Sequence, residues 1–155
     1  MYIKLVTVPD LSTPVSDLTG TQARELIEAA FAAARRHGFK PMAVAVVDAA
    51  AQVLALARED GASALRLDIA LGKAGAAAGM GANTRVLAQR AKDMPAFFGA
   101  IAVASAQKFV PQTGAVLVID GGGRVLGAAG ASGGSGDEDE QIVIAAIAAV
   151  GLGHA

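Results

Sequence analysis

The chain has 155 residues, 54% of them hydrophobic and 17% charged, with a formal net charge of −1 and no cysteine. This length suits one domain, 1–155, with one substantial core. The near-neutral charge argues against nucleic acid or an anionic membrane as partner, and the missing cysteine excludes disulfides, thiolate metal ligands and a cysteine nucleophile. An average soluble protein carries about 25% charged residues, so the deficit here predicts that apolar surface is covered by further copies of the chain in a homo-oligomer.

Residues 1–18 carry Pro9 and Pro14 and read as an irregular or extended lead-in. The first ten lack the basic and long apolar regions of a secretory signal. No apolar run reaches the roughly 18 residues of a membrane-spanning helix, so the expected location is the cytoplasm, with no membrane partner.

A helix starts near Thr19 or Thr21, either of which suits an N-cap. Leu26, Ile27, Ala30, Phe31 and Ala34 give it one apolar face. Gly38 ends it, behind Arg35, Arg36 and His37, which complement the helix dipole. Residues 42–47 and 52–57 are short apolar runs around a turn at 48–51, and a connection this short forces an antiparallel hairpin. Residues 64–80 form a helix of small residues, in which Lys73 interrupts the alanines and glycines. A further helical stretch covers 84–92, and Pro95 separates it from the apolar residues 97–104. Residues 115–119, the turn Asp120-Gly121-Gly122-Gly123 and residues 125–129 form a second hairpin. Residues 130–136 read as a flexible glycine-rich loop, and 137–151 as a helix that is acidic at its start and apolar beyond. The order is helix, hairpin, helices, hairpin, helix, without alternating crossovers. The fold class is therefore α+β, an antiparallel sheet with helices packed on it.

The glycines between 121 and 136 do not fit dinucleotide-binding spacing, and no Walker-type ending follows them. Asp137, Glu138, Asp139 and Glu140 open the next helix and repel phosphate from the place that would cradle it. This acidic run has two readings. It compensates a helix dipole and is solvated, or one carboxylate turns back into a pocket as a general acid/base or as the holder of a cationic group. As cation ligands Asp137 and Asp139 lack the rest of a calcium loop.

Arg58-Glu59-Asp60-Gly61-Ala62 is either a solvated turn or a site in which Arg58 faces an anion and Asp60 anchors a polar group. Lys73 either snorkels to solvent or lies in a pocket facing a ligand carboxylate. His37 is accounted for by the helix dipole, and His154, beside the last residue, is compatible with disorder. Two isolated histidines make no metal site, and Ser132 and Ser135 have no evident histidine base for a triad. Candidate axial ligands for a haem are His37, His154, Tyr2 and the four methionines, of which Met80 is nearest the central motif.

Three segments together resemble the GlcG/HbpS family, which includes the C-terminal domain of some PduO-type proteins. They are Arg58-Glu59-Asp60-Gly61-Ala62; Asp68-Ile69-Ala70-Leu71-Gly72-Lys73-Ala74 with residues 76–80 and Thr84; and residues 127–136, containing Ser132-Gly133-Gly134-Ser135, followed by Asp139-Glu140. The resemblance runs over about residues 18–151. It implies a profilin-like antiparallel fold, homo-oligomers that are often octamers, and binding of haem or another tetrapyrrole in several members. Hydrolytic and other small-molecule activities have been suggested for some. Where the family usually has Gly-Gly-Val-Pro before its last hairpin, this chain reads Pro111-Gln112-Thr113-Gly114-Ala115-Val116. No ligand-bearing histidine or threonine of haem-binding members falls on a matching motif.

Two main readings of function follow. The first is a binding module for haem or a similar planar ligand, with Arg58, Lys73, Met80, Ser132, Gly133 and Gly134 as binding residues. Its aromatic content of only 4% offers few rings for stacking. The second is a hydrolase, isomerase or lyase acting on a small anionic intermediate. There Arg58 and Lys73 would hold a carboxylate, and Asp60 or Asp139 would move a proton. A structural or regulatory partner protein is a third. Convergence of Arg58, Asp60, Lys73 and residues 132–139 on one pocket favours the enzyme; scatter around a dominant apolar cleft favours the binding module.

Overall fold

The computed structural model describes residues 18–106 and 108–155; the lead-in 1–17, including Tyr2, lies outside them. Helix α1 (Gly20–His37) begins at Thr19, whose hydroxyl accepts from the Gln22 N–H while the Gln22 side chain accepts from the Thr19 N–H. This reciprocal cap satisfies two otherwise orphaned donors. Gly38 closes the helix in the left-handed conformation, φ 68°, which costs glycine little.

The hairpin β1 (Ala43–Asp48) and β2 (Val53–Arg58) follows, then helices α2 (Leu65–Met80), α3 (Thr84–Asp93) and α4 (Pro95–Ala104). Pro95 stands in the first turn of α4, where its missing N–H removes no helical bond. The second hairpin, β3 (Ala115–Ile119) and β4 (Val125–Ser132), leads into α5 (Gly136–Ala149) and the short β5 (Gly153–His154). Its turn is held by Asp120, which accepts from the backbone N–H of Gly122 and Arg124 and from the Arg124 side chain. These bonds, those of Arg124 foremost, hold its carboxyl below the usual range.

All neighbouring strands are antiparallel, in the order β2-β1-β4-β3-β5. The expected α+β architecture is therefore present. Side-chain alternation along β1 explains its unbroken apolar run. Val44 and Val46 pack with α1 and α5 on one face, while Ala43, Ala45 and Val47 pack with α2 on the other. A third cluster, Ala76, Leu87, Phe98 and Phe109, ties α3 and α4 to the outside of α2. Beyond the end of short β5, the rest of β3's edge is satisfied by the start of α3. The buried Thr84 hydroxyl exchanges hydrogen bonds with Ala115, and Asn83 Oδ1 accepts from the Leu117 N–H. No helix among the described residues is long and apolar enough to cross a membrane.

Three boundaries differ from the sequence reading. The supposed flexible loop 130–136 is mostly strand: Gly130, Ala131 and Ser132 pair with Ala45, Val44 and Ala43, and only 133–135 lie between elements. Glycine stands at 130 because α2 lies directly on it. A Cβ at Gly130 would be 2.7 Å from the Ala70 carbonyl oxygen. The last helix ends at Ala149, with Gly151 at φ 75° turning the chain back. His154 is then ordered in β5, opposite Val118, and the Ala155 carbonyl accepts from Asn83.

Candidate functional site

Helix α2 divides the candidate chemistry between two clefts. Its N-terminal half lines a polar cleft of about 420 Å³ with Arg66, Ile69 and Lys73, completed by Gln112, Thr113, Ser132, Gly134, Gly136, Asp137 and Asp139. Its C-terminal half lines a mainly apolar cleft of about 270 Å³ with Gly75, Gly79 and Met80, opposite Ile101, Ser105, Lys108 and Phe109.

At the floor of the polar cleft Lys73, 4% exposed, meets Asp139, 1% exposed. Lys73 Nζ donates to Asp139 Oδ2 at 2.8 Å and to the Ala131 carbonyl at 3.1 Å. Asp139 Oδ1 accepts from the N–H groups of Gly133 and Gly134, both at 3.0 Å. Burying either charge alone would be costly; the pair and its added hydrogen bonds make the arrangement tenable. Gly114, at φ +131°, closes over the pair so tightly that a Cβ there would lie 2.6 Å from Lys73 Nζ.

The local fold of α5 explains why one carboxylate of four turns inward. Ser135 caps the helix through the Glu138 N–H, and the Glu138 side chain returns to the Ser135 N–H. One residue on, Asp139 faces the sheet. Asp137, exposed, and Glu140, largely covered, both accept from Arg85 of α3; the hydrogen bonds that Arg85 donates to Glu140 and then to Asp137 raise its pKa above the usual arginine range. The acidic run thus combines both readings: three carboxylates serve capping and surface pairing, and one enters the pocket. Lys73 does not snorkel to solvent but lies at the floor of this cleft, where Asp139 of the chain itself is its anion.

The structure brings Lys73, Ser132, Gly134 and Asp139 to one cleft, with Gly133 bound to Asp139 beside it. It does not bring Arg58 or Asp60 there. Both are exposed, at the end of β2 and in the following turn, while between them Glu59 binds Arg35 and the Met42 N–H. Met80 lines the apolar cleft instead. His37 is exposed, stacked on Phe39 at 5.1 Å and beside Gln141. Among the described residues, no three His, Cys, Asp or Glu side chains gather as around a metal ion.

Sequence reasoning missed Arg66, Gln112 and Thr113. Arg66 was within reach, because it precedes Lys73 by seven residues and so shares its helix face; Gln112 and Thr113 carry no periodic signal. Arg66 is half-buried and donates through Nη1 to the Ser132 hydroxyl at 3.2 Å.

An antiparallel sheet covered by helices on both faces, with clefts along one covering helix, defines a small α+β protein. Residues 18–148 match the family model described as "Haem degrading protein HbpS-like". The chain belongs to this HbpS-like family. Among solved structures it is similar to a PduOC–haem complex at 27% identity, with a TM-score of 0.75 over 86% of this chain and 94% of that one. It is also similar to a doubly substituted HbpS of Streptomyces reticuli at 29% identity, with a TM-score of 0.75 over 96% and 97% of the two chains. Protein ORFY of Klebsiella pneumoniae, at 23% identity, shares the fold with a TM-score of 0.78 over 94% and 98%. No curated protein matches the chain.

Proposed function

We propose that this protein binds haem or a related tetrapyrrole in the apolar cleft between α2 and α4. One observation carries the reading: a methionine, an aromatic ring, an aliphatic wall and a lysine line the same cleft. Met80 offers a thioether of the kind that ligates haem iron. Phe109 and Ile101 give apolar contact, and Lys108 suits a propionate. These residues fit one face of the macrocycle. At about 270 Å³ the cleft is slightly smaller than the roughly 300–1,000 Å³ of sites that enclose a whole drug-sized ligand, so part of the ring stays outside this chain's own walls. Family membership and the likeness to a PduOC–haem complex support haem as the ligand.

A haemin titration followed at the Soret band tests the proposal. The expected result is saturable binding at one haem per chain, weakened at least about tenfold in Met80→Ala, the loss of one ligand bond being well above the 1.4 kcal/mol that a factor of ten represents. Gly79→Trp is the blocking variant, because Gly79 lines the cleft and a Cβ there meets nothing within 4 Å. Saturation that survives Gly79→Trp and Met80→Ala but is lost in His37→Ala would move the site to the α1 end. Absence of saturation would overturn haem binding.

The remaining edge of the ligand is covered, in this reading, by another copy. Helix α4 has no charged residue and leaves Phe97 and Val103 exposed, Val103 at 79%, with Met94 exposed just before it. Such an apolar strip supports the homo-oligomer inferred from composition, with eight copies the number suggested by the family resemblance. Light scattering is expected to give a mass that is a multiple of 15.4 kDa; a single-chain mass at micromolar concentration would overturn self-association.

A further inference from the structure

We propose that the polar cleft is a second, separate ligand site, and that it takes a small carboxylate held by Arg66. Charge singles out one residue of this cleft. Four titratable groups line the cleft: Arg66, Lys73, Asp137 and Asp139. Lys73 and Asp139 neutralise each other at 2.8 Å, and Asp137 is bound by Arg85. Glu138, in the adjoining recess that Arg66 also lines, is held by the Ser135 N–H. Arg66 remains. No carboxylate among the described residues lies within ion-pair distance of it, and one hydroxyl, that of Ser132, occupies one of its five donors. The cleft therefore presents one uncompensated positive charge in a planar fork, the geometry that matches a carboxylate by two parallel hydrogen bonds.

The floor adds a second donor. A lysine ammonium has three N–H groups; Asp139 and Ala131 take two of those on Lys73. The third has no partner among the described residues, and the buried side chain that carries it is part of the cleft lining. Thr113 and Gln112 also line the cleft, and their hydroxyl and amide groups are of a kind that suits a hydroxyl or keto group next to the acid. Polar lining and a volume of about 420 Å³ suit a short, hydrated acid. They are the wrong lining for a tetrapyrrole, so this site stands or falls independently of the apolar one.

The test is a series of amide ¹H–¹⁵N spectra of the apo-protein titrated with sodium acetate, sodium lactate and inorganic phosphate, with sodium chloride matching ionic strength. Acetate and lactate are expected to shift the amides of Gly133, Gly134, Thr113 and Gly114 saturably, lactate binding more tightly. Arg66→Gln is expected to weaken both at least about tenfold, as befits loss of a charge-assisted bond. Arg66→Lys, which keeps the charge and loses the fork, should fall between. Arg36→Gln, on the exposed last turn of α1, should match the wild type. Amide dispersion reports folding in the same spectra, so a misfolded variant is recognised, and Arg66→Lys then decides. Shifts that grow linearly, or are equal in Arg66→Gln and wild type, would overturn the site. Saturation by phosphate but by neither carboxylate would overturn the assigned ligand class. Because the reporting amides are not those of Gly75, Gly79 and Met80, failure here is distinguishable from failure of the haem proposal.

Discussion

Replacing Asp139 by leucine is expected to destabilise the fold by about 3–5 kcal/mol, because it strands a buried ammonium. For a chain of this size that corresponds to a fall in melting temperature of about 6–20 °C, at roughly 2–4 °C per kcal/mol. Two effects contribute. Lys73 keeps only the Ala131 carbonyl as partner, and the N–H groups of Gly133 and Gly134 lose their acceptor. Lys73→Met should be milder, since the Asp139 carboxylate retains both amide donors. The double variant Lys73→Met/Asp139→Leu separates the two contributions. It removes both charges, so it should be less destabilised than the sum of the single variants. It should not return to wild-type stability, because each orphaned N–H still costs about 1–3 kcal/mol. Thermal and urea unfolding of the four proteins closes the cycle. Additive single effects would show that the two side chains are not coupled as the 2.8 Å contact requires.

Gly130→Val is expected to be strongly destabilising, because it drives a side chain into the backbone of α2. A Cβ at this position would lie 2.7 Å from the Ala70 oxygen and 2.8 Å from the Ala74 nitrogen. Both are helix backbone and cannot rotate aside, so α2 must lift from β4. Overpacking typically costs about 1–3 kcal/mol, and two backbone clashes place this variant at the top of that range or above it. The consequence reaches the polar cleft, because Lys73 lies between the two displaced residues. The Lys73–Asp139 bond should lengthen, and the Gly133 and Gly134 amide resonances should move with it. Gly99→Ala is the contrasting substitution. It lies in α4 with nothing within 4 Å of its added Cβ, and a helical glycine-to-alanine change gains about 0.5–1 kcal/mol. Opposite signs at two glycines would show that local packing, not residue type, sets the result. A Gly130→Val protein as stable as wild type would contradict the direct contact between α2 and β4.

Much of this molecule is legible without coordinates, and the reasons are local. Thr19 with Gln22, the apolar face of α1 and Gly38 all lie within one helix, so short-range rules locate it. The hairpin at 43–58 announces itself through two apolar runs and a connection too short for a crossover. Residues 130–132 were less legible, since glycine, alanine and serine favour no strand. Pairing with β1 and the close approach of α2 make them one. The acidic run at 137–140 was ambiguous for a related reason: composition shows four carboxylates, whereas helical phase and the Ser135 cap select Asp139 as the one that faces the sheet.

The sequence by itself determined the fold class, the order of elements, the family resemblance and the low surface charge that points to self-association. These follow from periodicity, turn chemistry and composition, which act over a few residues or over the whole chain at once. Only the tertiary structure decided that Lys73 is answered by Asp139, 66 residues away, and that Arg58 and Asp60 lie apart from them. It likewise separated Met80 from the glycine-rich segment and disclosed Arg66 as a cation with no carboxylate partner among the described residues. Burial and pairing of charge depend on which distant side chains arrive at the same place, and that is set by how α2 and α5 pack on the sheet.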